Sequence, residues 1–160
     1  MMKVLAISAS PRKGGNTETL IDRAIEGAFS EGADIEKIIL DDLDIAPCSE
    51  EEYDNVTEEG LSVVSDDMAL IFSKIRDCDA LILGSPIFFG SVSAQAKIMI
   101  DRFQCVWVAK NIMRKNVFDK RKAGAFICVS ATDREDFFEN ARSVVRHFFA
   151  TVNIKSAGEA

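Results

Sequence analysis

Apolar runs of strand length alternate along the chain with stretches of helical period. Lys3 to Ser8 (KVLAIS) reads as a first, buried strand. From Thr17 to Ser30 the apolar side chains fall at Leu20, Ile21, Ala24, Ile25, Ala28 and Phe29, one face of a helix. Gly32 ends that helix, and Ile35 to Leu40 (IEKIIL) reads as a second strand. Asp41 to Ser65 is long, acidic and weakly patterned, and such stretches inside a compact domain are usually functional or mobile. Ser65 is placed to cap a helix with the stripe Met68, Ile71, Phe72 and Ile75. Asp66 and Asp67 then fall in its first turn, where the dipole favours acids. Ala80 to Gly84 (ALILG) makes a third strand. Ser93 to Ile112 reads as one long helix, with Ala96, Met99, Ile100, Phe103 and Trp107 on one side. Ala123 to Ser130 (AGAFICVS) makes a fourth strand. Thr132 to Glu135 has the spacing of a capping box, opening a helix with the stripe Ala141, Val144, Val145, Phe148, Phe149 and Val152. Ile154 to Ala160 leaves room for only a short fifth strand.

This βα alternation predicts an α/β fold, a parallel sheet covered by helices on both faces. Ligands of such sheets sit beyond the carboxyl ends of the strands. Three loops therefore matter: Ser8 to Thr17, Ser85 to Ser93, and Ser130 to Glu135. No repeat or linker interrupts the pattern, and 160 residues suit one domain, 1–160.

Composition narrows the function. No apolar run reaches eighteen residues, and Val4 to Ile7 is too short for a signal peptide, so a cytoplasmic protein without a membrane partner is expected. A net charge of −7 argues against a nucleic-acid partner. The charge is uneven: eleven acids and no base lie between Asp41 and Asp67, and six bases with one acid between Lys110 and Lys122. These read as a solvated acidic loop and a basic edge, or as a docking surface for a charged partner. Cys48, Cys78, Cys105 and Cys128 are too widely spaced for a disulfide framework or zinc site, and Cys128 reads as a small core residue. The one histidine, His147, lies on a helix and is poorly placed for a triad.

The first loop, Ser8-Ala-Ser10-Pro-Arg12-Lys13-Gly14-Gly15-Asn16-Thr17, joins a buried strand to a helix N-terminus. Helix N-termini carry unpaired N–H groups and a partial positive charge. Ser8, Ser10 and Thr17 add hydroxyls, Arg12 and Lys13 add charge, and Asn16 can cap or donate. That is a phosphate cradle, against the plainer reading of an ordinary βα turn. It is neither a P-loop nor a dinucleotide fingerprint. In the second loop, Pro86 stiffens the turn and Gly90 frees it, while Phe88 and Phe89 cannot both enter the sheet core. Such a rigid apolar loop suits a flat heteroaromatic ring; the phenylalanines could equally pack under a helix or at a subunit contact.

Ser8-x-Ser10-Pro11-Arg12-Lys13-x-Gly15-Asn16-Thr17, then Gly84-Ser85-Pro86-Ile87-Phe88-Phe89-Gly90-Ser91-Val92-Ser93-Ala94 and Lys97-x-x-x-Asp101-Arg102, resembles the NADPH-dependent FMN reductase family. Within it the chain is most similar to the iron-sulfur flavoprotein branch. The resemblance implies a flavodoxin-like three-layer sandwich with sheet order 2-1-3-4-5 and a short or incomplete last strand. It implies FMN, with its phosphate on Ser10, Arg12, Asn16 and Thr17; the reading of the loop as a cradle adds Ser8 and Lys13. The ring would lie against Pro86, Ile87, Phe88, Phe89 and Gly90; Ser130 and Thr132 of the third loop are further cofactor-binding candidates. The expected activity is electron transfer from NAD(P)H through the flavin to a small-molecule or protein acceptor, with no side chain as acid, base or nucleophile. An FMN electron carrier without NAD(P)H activity and a non-enzymatic binding module are the other readings. A homodimer or homotetramer is implied. Asp101-Arg102 reads as a structural ion pair or cap.

Three departures stand out. The branch's cysteine cluster after strand two is reduced here to Cys48, and one thiolate cannot hold a cubane, so no iron-sulfur cluster is expected. The third loop, Ser130-Ala131-Thr132-Asp133-Arg134, lacks the family's glycine. There Asp133 would disfavour an anionic reduced ring and Arg134 would favour one. The C-terminal segment is short.

Overall fold

The computed structural model describes residues 1–50, 55–57 and 61–159. Its strands are β1 (Lys3–Ser8), β2 (Asp34–Ile39), β3 (Ala80–Phe88), β4 (Ser91–Val92), β5 (Lys122–Val129) and β6 (Ile154–Glu159). Its helices are α1 (Asn16–Ser30), α2 (Met68–Asp77), α3 (Ala94–Asp101), α4 (Gln104–Asn111) and α5 (Glu135–Thr151), with a 3₁₀ turn at Leu40–Asp42.

The parallel sheet runs β2-β1-β3-β5-β6, and the two-residue β4 pairs antiparallel with β3. Leaving β4 aside, this is the expected 2-1-3-4-5 order. Alternation of side chains along each strand divides the core in two. Val4, Ala6, Ile82 and Ile127 face α1 through Ile21. Leu5, Ile7, Leu81, Leu83 and Phe126 face the other helices through Met68, Ile75, Met99, Val145 and Phe149. Helix, sheet and helices make the three layers. The last strand has six residues, and its pairing with β5 shifts register between Gly124 and Ala125.

Several expected boundaries move. The third strand does not stop at Gly84: Ser85 and Pro86 stay in register with Cys128 and Val129, so the strand continues to Phe88. The expected helix from Ser93 to Ile112 is two helices. Phe103 N–H bonds back to Ile100 in a tighter turn, where the buried Arg102 and Phe103 side chains leave for different partners. Phe103 joins Phe72, Phe118 and Phe148 in an aromatic cluster. Arg102 turns to Ala46, Ser62 and Asp66.

Two caps also differ. Asp66, not Ser65, accepts the Met68 amide at the start of α2 (3.0 Å). The capping box at Thr132–Glu135 does not form; Arg134 precedes α5 without a side-chain cap, and Thr132 instead donates its amide to Ser130. Ser93 does cap α3, accepting the Ala96 amide.

In the acidic segment, Glu51, Glu52, Asp54, Glu58 and Glu59 lie outside the described residues. Its flanks are anchored by Asp66 on Ala46 N–H (3.0 Å), Asp67 on Asp44 N–H (2.8 Å), and Arg102.

Candidate functional site

Ser8 ends β1 in register with Gly84, and Gly84 is paired with Ile127 of β5. The three expected loops therefore leave neighbouring strands on one end of the sheet. A Cβ at Gly84 would stand 2.4 Å from Ile21, so α1 packs directly on β3 and fixes the position of its own first turn.

The first loop enters α1 through Gly15, with Asn16 as the first helical residue. Ser10 Oγ closes its turn, accepting the Arg12 amide (3.1 Å) and donating to the Arg12 carbonyl (3.2 Å). Ser8 and Thr17 are buried, only 1% and 3% exposed. Neither hydroxyl has a hydrogen-bond partner among the described residues, which costs roughly 1–3 kcal/mol for each such buried group. The Asn16 and Thr17 amides belong to the turn whose donors have no acceptor inside the helix. Arg12 is exposed and forms no ion pair among the described residues. This donor set, two orphaned hydroxyls beside a helix N-terminus and an unpaired guanidinium, fits an oxyanion with several acceptor oxygens.

Not every expected group faces that way. Lys13 pairs with Asp42 of the 3₁₀ turn, a bond that raises its ammonium pKa above the usual range. Gly14 adopts φ +66°, and its N–H donates to Glu18 Oε2 (2.5 Å). Glu18 Oε1 accepts from Lys37 Nζ (2.7 Å), which also reaches Asp22 (2.6 Å). The bond from Lys37, then that from Gly14, holds the Glu18 carboxyl below the usual range.

The second loop is a β-hairpin. Phe89 (φ +50°) and Gly90 (φ +75°) form its tip, the pair of positive φ values that the strand-matched two-residue turn needs. A bulky residue in the left-handed region is strained. Gly90 is pressed against Phe137, and its carbonyl accepts from Asn140 (2.6 Å). At the hairpin base, Ser93 N–H donates to Ser85 Oγ (2.9 Å), and Ser93 Oγ donates to the Ala9 carbonyl (2.6 Å). These bonds tie the second loop rigidly to the first. Ile87 is buried in the core, so its side chain is packing rather than lining. Phe88 is half exposed and Phe89 fully exposed, an uncovered aromatic tip beside α5.

In the third loop Ser130 and Thr132 hydroxyls lie 3.4 Å apart. Arg134 stacks on Phe137 (4.5 Å) and pairs with Asp136 (2.7 Å), so its charge is already met. Cys128 packs at the margin of the core rather than inside it. It is half buried and lines a cleft of about 530 Å³ with Ser130, Thr132, Asp133, Phe138 and Arg142. Its neighbours there, Phe138 and Arg142, come from the first turns of α5.

Sequence reading missed Glu18, Lys37 and Asn140, which act on the loops from other elements or from the next turn. Glu18, three residues after the N-cap Gly15 as the glutamate of a capping box is, was the one local signal. Asp101-Arg102 behaves as expected of structure: Asp101 pairs with Lys97 (2.7 Å), and Arg102, fully buried, anchors Asp66.

Residues 2–157 match the family model described as NADPH-dependent FMN reductase. An iron-sulfur flavoprotein of Methanocaldococcus jannaschii is 34% identical over 148 residues, covering 92% of this chain and 72% of that protein. An iron-sulfur flavoprotein of Methanosarcina thermophila is 33% identical over 131 residues, covering 82% of this chain; the chain spans 64% of that relative's length. Among solved structures, an NAD(P)H:quinone oxidoreductase from Methanothermobacter marburgensis superposes with a TM-score of 0.76 at 21% identity, covering 98% of this chain and 82% of that one. The last likeness establishes a flavodoxin-like fold; the match over nearly the whole chain establishes more, that the chain belongs to the NADPH-dependent FMN reductase family.

Proposed function

We propose that the protein is an FMN-dependent oxidoreductase that takes electrons from NADH or NADPH and delivers them to a small-molecule or protein acceptor. The observation that carries this reading is the pair of buried hydroxyls without a partner among the described residues, Ser8 at the end of β1 and Thr17 in the first turn of α1. The phosphate of FMN suits them: it brings several acceptor oxygens and a double negative charge to a helix N-terminus. Ser8, Thr17, Asn16, Arg12 and the Ser10 turn would hold that phosphate. Pro86, Phe88 and Phe89 would bear on the ring, Ile87 and Gly90 would shape the hairpin, and Ser130 and Thr132 would stand at the ring's edge. Lys13, engaged by Asp42, would act at longer range.

When bound, FMN supplies hydride acceptance and electron transfer. The chain's residues hold, orient and shield. The hairpin is braced by Asn140 and Ser93, so the aromatic tip is presented by rigid backbone.

We also propose that the chain carries flavin without an iron-sulfur cluster. Cys78 and Cys105 are buried in the core, and burial pushes the Cys78 thiol up to about 11, so it is a poor thiolate ligand at neutral pH. The exposed Phe88, Phe89 and Trp107 support a homodimer or homotetramer. Among the described residues no helix is long and apolar enough to cross a membrane.

Steady-state oxidation of NADH and NADPH, with flavin and quinone acceptors, tests the enzymatic half of the reading. Rapid turnover is expected. Tight FMN binding without turnover would favour the electron-carrier reading, with the acidic segment as docking surface.

A further inference from the structure

Lys37 stands on the edge strand β2, opposite Ala6 of β1, and its stem crosses the α1 face of the sheet. Its ammonium ends on α1, 2.7 Å from Glu18 and 2.6 Å from Asp22. Glu18 is the better shielded of the two carboxylates, with its side chain 13% exposed against 50% for Asp22. The other oxygen of Glu18 holds the Gly14 amide (2.5 Å), in the left-handed turn that leads into the oxyanion cradle. The chain of contacts therefore runs from β2, through one lysine and one carboxylate, to the backbone of the loop.

Glu18 has two opposed effects. Its bond to Gly14 fixes the turn. Its negative charge, one residue from Thr17, works against any anion held by the first turn of α1. Lys37 reconciles them: it pins the carboxylate in place and offsets its charge, with Asp22 sharing the ammonium. We propose that Lys37 is a positioning residue for the phosphate of FMN, acting through Glu18 to preorganise the Gly14 turn and to offset the negative charge that Glu18 brings to the cradle's rim. This rests on the proposal that FMN is the ligand.

The test is a titration of the purified full chain, stripped of flavin, with FMN and with riboflavin, which lacks the phosphate. Circular dichroism melting serves as a folding control. Lys37→Met keeps the apolar stem and removes the charge. It should weaken FMN binding about tenfold and change riboflavin binding less than about twofold, as expected for loss of one charge interaction. Glu18→Gln alone removes the charge but sets its one NH2 group against a donor, Lys37 or Gly14, so it should weaken FMN binding by less than about threefold. In the double variant, Glu18→Gln with Lys37→Met, FMN affinity should return to within about threefold of wild type, because a carboxamide oxygen still accepts from Gly14 and needs no counter-charge. Unchanged FMN affinity in Lys37→Met, equal losses for both flavins, or no rescue in the double variant would each overturn the inference while leaving the FMN reading intact. A folded wild-type protein that binds neither flavin would overturn both. If Lys37→Met fails to fold, the single Glu18→Gln variant decides: a tenfold loss of FMN affinity there contradicts the charge argument.

Discussion

A buried hydroxyl without a partner is a cost to the folded chain unless a ligand meets it. Thr17→Val keeps the shape and removes that group, so it should leave the melting temperature of the flavin-free protein unchanged or slightly raised. FMN affinity should fall about tenfold, the worth of a lost hydrogen bond to a charged group. Equal loss of stability and affinity would mean that the hydroxyl is structural. Phe89 makes the converse case: its φ of +50° costs the fold, and its ring is fully exposed. Phe89→Gly should raise stability by about 1 kcal/mol in denaturant melts, since glycine adopts that region freely. If the ring of FMN rests there, the same change should reduce quenching of flavin fluorescence. Residue types alone pointed to a candidate cradle, because hydroxyls, an amide and a guanidinium stand together with two glycines between a buried strand and a helix. Glu18 and Lys37 stayed hidden because their partnership spans two elements and nineteen positions of sequence.

Among elements, the break between α3 and α4 shows how tertiary contacts override local periodicity. The stripe from Ala96 to Trp107 favours one helix, yet Arg102 is drawn to Asp66, and Phe103 to the aromatic cluster. The period of the pattern carries no information about a guanidinium's partner 36 residues away. Burial pushes the Asp66 carboxyl up, but Arg102 and the Ala46 and Met68 amides together hold it below its ordinary value of 3.8. A depressed carboxyl contributes stability that is full above the unfolded-state value and lost as pH falls through the folded one. The wild type should therefore lose this contribution below about pH 4. Arg102→Met should cost about 3–5 kcal/mol at neutral pH, by stranding Asp66, and should flatten that acid limb. Urea melts from pH 3 to pH 7 would check both; a small loss with an unchanged acid limb would contradict the latch. The hairpin was equally hard to foresee. A two-residue turn of this kind ordinarily announces itself by asparagine or glycine at its first central position, where this chain has Phe89. The parallel strands and α1 were legible because their runs are long, apolar and cleanly bounded, and Gly32 terminates α1 in the expected left-handed conformation.

For the whole molecule, the sheet order brings the ends of β1, β3 and β5 side by side, and all three candidate loops meet there. That convergence could be foreseen from strand order alone. The distribution of exposed apolar groups could not, because Phe88, Phe89 and Trp107 read in sequence as easily for core as for surface. Their exposure supports self-association, and light scattering at micromolar concentration should give a dimer or tetramer; a monomer would remove that proposal. The central claim is that the cradle at α1 receives the phosphate of a flavin. The most direct measurement is titration of the flavin-free protein with FMN, followed by flavin fluorescence, for the wild type and Arg12→Ala. Saturable quenching in the wild type, weakened about tenfold in the variant by loss of one charged contact, is the predicted result. Absence of saturable binding to a protein shown to be folded, or binding indifferent to Arg12, would contradict it.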